Sequence, residues 1–185
     1  MFSARAFAGN FDTTELLEAI DYCHIHNVKL YMAVNTLLKN SEMKDLIPYL
    51  DPFYREGVDG IIVQDVGVIR SLSKAYPDLP LHGSTQMSVC STYGAEFLKN
   101  LGMTRFVPAR ELSLNEIKSI KEAVDIEIET FVHGAMCFCY SGKCLMSSFA
   151  GGRSGNRGRC AQPCRKAYNS KQFNHEYALS MKDMC

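Results

Sequence analysis

The sequence contains no tryptophan and only six prolines, and no uninterrupted apolar run approaches membrane-spanning length. A bilayer-crossing helix needs roughly 18 or more consecutive apolar residues, so that class is excluded. The first residues, Met1 to Ala8, lack a basic region followed by a sustained apolar core, so they do not read as a secretory signal, and the cytoplasm is the expected compartment. No His-Glu-x-x-His helix, no Gly-x-Ser-x-Gly elbow and no Cys-x-x-Cys pair occurs. These absences argue against a zinc protease, an α/β-hydrolase and a zinc ribbon.

Acidic residues are missing from one stretch. Residues 131–175 hold seven Lys and Arg and no Asp or Glu, whereas residues 1–130 hold 12 basic and 18 acidic residues. The zero formal net charge therefore conceals a basic block, which reads as a surface for anions or nucleic acid. Arg153, Arg157, Arg159, Arg165 and Lys166 are its candidate phosphate-binding residues.

Cysteine is concentrated in the same region. Six of the eight cysteines fall between 137 and 185. Without a secretory signal, such a cluster points to metal binding or redox chemistry rather than a disulfide framework. Four thiolates gathered from strand ends and loops suit either zinc or an iron–sulfur cluster, and spacing alone does not choose between them.

The rest of the chain alternates apolar, β-rich runs with amphipathic segments. Strand-like runs cover Val28–Val34, Gly60–Gln64, Leu79–His82, Thr104–Pro108 and Ile126–Val132, with a sixth at Tyr177–Met181. Helical patterns lie near Asp12–His26, Ser41–Glu56, Gly67–Tyr76, Ser91–Leu101 and Ser113–Ala123. Asp12 with Glu15 and Ser113 with Glu116 have capping-box spacing, and Asn27, Gly57 and Gly102 stand where left-handed caps would end helices. This repeat predicts an α/β fold, an incomplete (β/α) TIM-like barrel of parallel strands followed by a Cys-rich irregular loop. The expected organisation is a partial barrel over 1–148, an Arg- and Cys-rich loop over 149–176 and a further barrel strand over 177–185. A full barrel needs eight strands and roughly 250 residues, so the chain reads as part of a larger protein. Chemistry in such folds sits at strand C-terminal ends. The polar residues there are Asn35, Asp65, Gln86, Arg110, Glu111 and His133.

One segment is more specific. Glu129, Phe131, Gly134, Ala135, Met136, Cys137, Gly142, Cys144, Met146 and Ser147 resemble the signature of peptidase family U32, Glu-x-Phe-x-x-Gly-(Ser/Ala)-aliphatic-Cys-x4-Gly-x-Cys-x-aliphatic-Ser. Asn156 to Arg165 resembles the family's second cysteine motif, and Leu179 to Cys185 its Ser-x-Lys-Asp-Leu-Cys strand. The resemblance implies a barrel lacking its first two strands and its C-terminal region. It also implies a 4Fe-4S cluster held by Cys137, Cys144, Cys160 and Cys185, with Cys164 as a substitute ligand and zinc as the alternative metal. The implied activity is hydroxylation of an RNA base, of the kind that converts a tRNA uridine to 5-hydroxyuridine, with prephenate as co-substrate and a paralogous U32 subunit as partner. His133, Glu111, Arg110, Gln86 and Asp65 would then position substrate or move protons. Two other readings stand beside it. One is a collagenase-like peptidase with Cys137 as nucleophile and His133 as base. The other is an inactive fragment whose open sheet edges favour association.

Overall fold

The computed structural model describes residues 2–4, 9–134, 137–169 and 176–177. Five strands, β1 (Tyr31–Val34), β2 (Gly60–Val63), β3 (Leu81–Gly83), β4 (Arg105–Phe106) and β5 (Glu127–Ile128), form one sheet in sequential order. Every neighbouring pair is parallel. The helices α1 (Thr13–Ile25), α2 (Asn40–Arg55), α3 (Val66–Ala75), α4 (Thr92–Asn100) and α5 (Leu114–Ala123) alternate with these strands. The expected βα repeat is therefore present, and all five strands end on the same side.

Local chemistry explains the helix boundaries. Asp12 and Ser113 each accept the backbone N–H three residues on, and Glu15 and Glu116 return the bond. This satisfies orphan donors at both helix starts. Asn27, Gly57 and Gly102 all take positive φ after α1, α2 and α4, as the sequence predicted. Helix faces repeat at helical spacing: Leu46, Leu50 and Phe53 on α2, then Val68, Ile69 and Leu72 on α3, are buried. They join Met32, Val34, Ile61, Val63, Leu81 and Phe106 from the sheet in one core. Each such side chain contributes roughly 1.5–3 kcal/mol by leaving water.

The other face of the sheet is apolar on β1 and β2 and polar on β3 to β5. Ala33, Ile62, His82, Arg105 and Glu127 lie in register across it. His82 is 4% exposed, packs at a tilt against Tyr31 with ring centroids 4.7 Å apart, and its Nδ1 has no hydrogen-bond partner. Burial, with the Arg105 charge, pushes its pKa down to about 4.

Three expectations need correction. The strand expected over Ile126–Val132 ends at Ile128, leaving Phe131 60% and Val132 96% exposed. Among the described residues only β4 pairs with β5 in this sheet, and no described strand extends the ladder on its other side. The loop expected from Phe149 begins instead inside a short helix, α6 (Met146–Gly151), followed by 3-10 turns at Gly155–Arg157 and Pro163–Arg165. Tyr177, expected to open another barrel strand, lies in Glu176–Tyr177, which pairs antiparallel with Tyr168–Asn169 in a separate ribbon. Residues 178–185, including Cys185, lie outside the described residues. Among the described residues no helix is long and apolar enough to cross a membrane.

Candidate functional site

The C-terminal end of the sheet is stitched by a polar network. Gln64 Nε2 donates to the Asn35 carbonyl and to Gln86 Oε1, both at 2.8 Å. Asn35 Nδ2 donates to Ser84 Oγ at 3.3 Å, and Thr85 Oγ1 donates to the Pro108 carbonyl at 3.0 Å. The ends of β1 to β4 are thereby joined through side chains. Gln64 and Ser84 are buried, where an unmade hydrogen bond is costly, so this end is held as a unit.

The first cysteine segment, which follows β5, folds back over that platform. Ser88 Oγ donates to the Ser141 carbonyl at 2.7 Å, and Arg110 Nη2 donates to the Cys139 carbonyl at 3.1 Å. Gly142 has φ +77°, and a side-chain carbon there would collide with the Gln86 carbonyl oxygen. The chain can cross at this point because residue 142 has no Cβ. Cys137 is exposed, Cys139 and Cys144 are partly buried, and all three are free thiols. Burial, with Cys144 and Cys137 nearby, pushes the Cys139 thiol up.

The second cysteine segment is tied to the first. Ser147 is 2% exposed, and its Oγ accepts the Ala161 N–H at 2.9 Å. Cys160 Sγ accepts the Gln162 N–H at 3.3 Å. The Ser154 carbonyl accepts N–H groups from both Arg157 and Arg159, so the loop around Cys160 is internally braced. At its far side, Arg157 reaches the start of α2. Its Nη1 donates to Glu42 Oε2 at 2.9 Å and to the Leu37 carbonyl, and its Nη2 donates to Glu42 Oε1. The Arg157 hydrogen bonds, with the Lys39 N–H, hold the Glu42 carboxyl down to about 2.

The expected site residues thus divide. Arg110 and Gln86 lie beneath the cysteine segment. Asp65 does other work: its Oδ1 accepts Gly67 N and Val68 N as the N-cap of α3, and its Oδ2 accepts Leu38 N. Both carboxylate oxygens are engaged by backbone, so its role is structural. Arg157, expected against phosphate, spends its guanidinium on Glu42 and Leu37. Glu111 and His133 are exposed, and among the described residues no hydrogen bond joins His133 to Cys137. Arg153, Arg159 and Lys166 are exposed and Arg165 partly so, with Arg153 Nε donating to the Arg159 carbonyl at 3.0 Å. Sequence reasoning missed Gln64, Ser88 and Glu42, and it missed the N-cap spacing of Asp65 ahead of α3.

A thiolate-bound group fits the donor chemistry. Cys137, Cys139, Cys144, Cys160 and Cys164 are all free thiols. Arg110, which bonds the Cys139 carbonyl, keeps its Nε buried without a partner, a donor suited to a nearby anion. Among the described residues no three Cys, His, Asp or Glu side chains are grouped to hold a metal ion, and Cys185 lies outside the described residues.

Comparison with known proteins bears on this arrangement. The family model described as peptidase family U32 matches residues 1–185. The chain is 38% identical over 188 residues to the 23S rRNA 5-hydroxycytidine C2501 synthase of Escherichia coli (strain K12), spanning 98% of this chain and 28% of that protein. It is 42% identical over 184 residues to tRNA hydroxylation protein P of Helicobacter pylori (strain J99), spanning 98% of this chain and 42% of that protein. A collagenase of Porphyromonas gingivalis is 29% identical over 196 residues, spanning 96% and 47% respectively. The chain thus spans less than half the length of these relatives. Among solved structures, the U32 peptidase Mk0906 superposes with a TM-score of 0.61 at 21% identity, covering 72% of this chain and 57% of that one. That likeness supports the α/β fold with its parallel sheet.

Proposed function

The chain belongs to peptidase family U32, and from that premise we propose that it is part of the barrel of an iron–sulfur-dependent RNA base hydroxylase. The relatives named above as hydroxylating tRNA or rRNA are more similar to it than the collagenase is. One observation carries the reading: a thiol-rich segment is locked across the C-terminal end of a parallel sheet by Ser88, Arg110 and Gly142. That is where α/β folds place their chemistry. In the whole protein the sheet closes into a barrel, and Cys137, Cys144, Cys160 and Cys185 hold a 4Fe-4S cluster, with Cys164 able to replace one ligand. The cluster supplies electron-transfer chemistry that amino-acid side chains lack.

The chain's own residues do the rest. Arg153, Arg159, Arg165 and Lys166 meet RNA phosphates, so binding weakens steeply with salt. The His133 imidazole and the Glu111 carboxylate orient the base and carry a proton, while Arg110 and Gln86 support the cysteine segment. The proposed setting is the cytoplasm, with tRNA as substrate, prephenate as co-substrate and a paralogous subunit as partner.

The test is anaerobic reconstitution of the full-length protein, with ultraviolet–visible spectra and nucleoside analysis of RNA from a strain lacking it. Cys137→Ser and Cys144→Ser are each expected to abolish the cluster spectrum and the modified base alike, as are Cys160→Ser and Cys185→Ser when combined with Cys164→Ser, while Cys90→Ser leaves both. Loss of a proteolytic activity on substitution of Cys137 alone, with no cluster formed, would establish the peptidase reading instead.

A further inference from the structure

We propose that Arg157 and Glu42 form a clamp that positions the Cys160 segment over the C-terminal end of the sheet. Arg157 is then a positioning residue and not a phosphate contact. The two residues are 115 positions apart, and both guanidinium Nη atoms bond to the one carboxylate. A fork-to-carboxylate pair of this kind fixes orientation as well as distance. A further bond to the Leu37 carbonyl anchors the arginine to the connection between β1 and α2.

The clamp is transmitted to Cys160 because the intervening turn is short and braced. Arg157 N and Arg159 N share the Ser154 carbonyl, and Gly158 N donates to the Gly155 carbonyl. A side-chain carbon at Gly155 would lie 3.4 Å from Cys160 Cβ, so the turn packs directly on the cysteine. On the other side Ser147 holds Ala161. Cys160 is therefore fixed from two directions, toward β1 through Arg157 and toward the first cysteine segment through Ser147.

A phosphate role fits poorly with this geometry. The fork already faces a carboxylate, and a phosphate approaching it would meet the Glu42 charge. What Cys160 is held for rests on the reading above, but the clamp itself is testable without cluster or RNA.

The experiment measures backbone amide hydrogen exchange, resolved by peptide mass spectrometry, in the apo form of the full-length protein. Arg157→Ala and Glu42→Gln are each expected to speed exchange about tenfold at Arg159 and Ala161, whose N–H groups are bonded to Ser154 and Ser147, as the segment opens locally. Exchange in α1 around Cys23 should stay constant. The double variant should exceed neither single one, because both break the same contact. The charge swap E42R/R157E should return Arg159 and Ala161 toward the parent rate. Should R157A unfold, R157K carries the same test, since one ammonium cannot make the fork. The clamp is overturned if E42Q leaves exchange at Arg159 and Ala161 unchanged, if the two effects add, or if exchange rises around Cys23 as well. It is also overturned if R157A weakens binding to total tRNA while E42Q strengthens it, the pattern of a phosphate contact.

Discussion

Ser147 Oγ accepts the backbone N–H of Ala161 at 2.9 Å, and this bond joins two cysteine segments that are separate in sequence. Ser147 follows Cys144 by three residues, and Ala161 follows Cys160 directly. The Ser147 hydroxyl is buried, so water is not a ready substitute for its partner. The serine that closes the first cysteine pattern thus has a physical reason: it sets where the second pattern starts.

Ser147→Ala removes the acceptor and leaves a partly buried N–H unpaired, which costs about 1–3 kcal/mol. Thermal melts should show a lower Tm, and amide exchange at Ala161 should be faster. A Tm equal to the parent, with unchanged exchange, would mean that the two segments are held by something other than this bond.

Gly142 and Gly102 make a controlled comparison. Both have positive φ, at +77° and +84°, but only Gly142 lies against backbone; a Cβ at Gly102 meets nothing within 4 Å. Gly102→Ala should therefore cost only conformational strain, about 1 kcal/mol. Gly142→Ala should cost more and should expose Cys139 and Cys144 to alkylation, since the segment must lift off Gln86. Equal Tm losses for the two variants, with unchanged thiol labelling, would contradict this packing.

The parts of the fold legible in the sequence were those set by near neighbours. Asp12 with Glu15, Ser113 with Glu116, and the caps at Asn27, Gly57 and Gly102 need only a few adjacent residues to be read. The α/β alternation was likewise visible in apolar runs of two periodicities. Strand ends were not, because pairing stops where a neighbouring strand stops. The apolar run through Phe131 and Val132 looked like strand, yet among the described residues only β4 pairs with β5 in the sheet. Asp65 looked chemical because it follows a strand, although it equally precedes a helix and caps it. Arg157 sat in a run of cations with no local sign of its carboxylate partner. The Glu42 signal is nonlocal, and a single sequence does not carry it.

His82 should make stability pH-dependent in a defined window. Its pKa is lowered to about 4 from an ordinary 6.5, because burial and the Arg105 charge disfavour the protonated ring. The unfolded chain therefore takes up a proton at higher pH than the folded one, so acid favours unfolding. The stabilising effect is complete above pH 6.5 and is lost progressively as pH falls from there toward 4. His82→Leu removes both the titration and the unpaired Nδ1. Thermal melts of the variant should be flatter across that window; a variant as pH-sensitive as the parent would assign the effect to another group.

Glu42 should act lower on the pH scale and in the same direction. Its carboxyl is held down to about 2 from an ordinary 4.5, first by the Arg157 side-chain hydrogen bond and then by the Lys39 N–H. Folding thus favours the ionised form, and the resulting stability is complete above pH 4.5 and disappears as pH falls toward 2. Glu42→Gln carries no charge at any pH and offers only one oxygen to Arg157. The Tm difference between parent and E42Q should therefore stay constant from pH 7 to 5, then close between pH 4.5 and 2. High salt should reduce the difference only partly, because both side chains are about two-thirds shielded from solvent and screening acts mainly on exposed pairs. A difference that vanished already at pH 6, or in moderate salt at neutral pH, would mark the pair as an ordinary surface contact and remove the basis for a clamp.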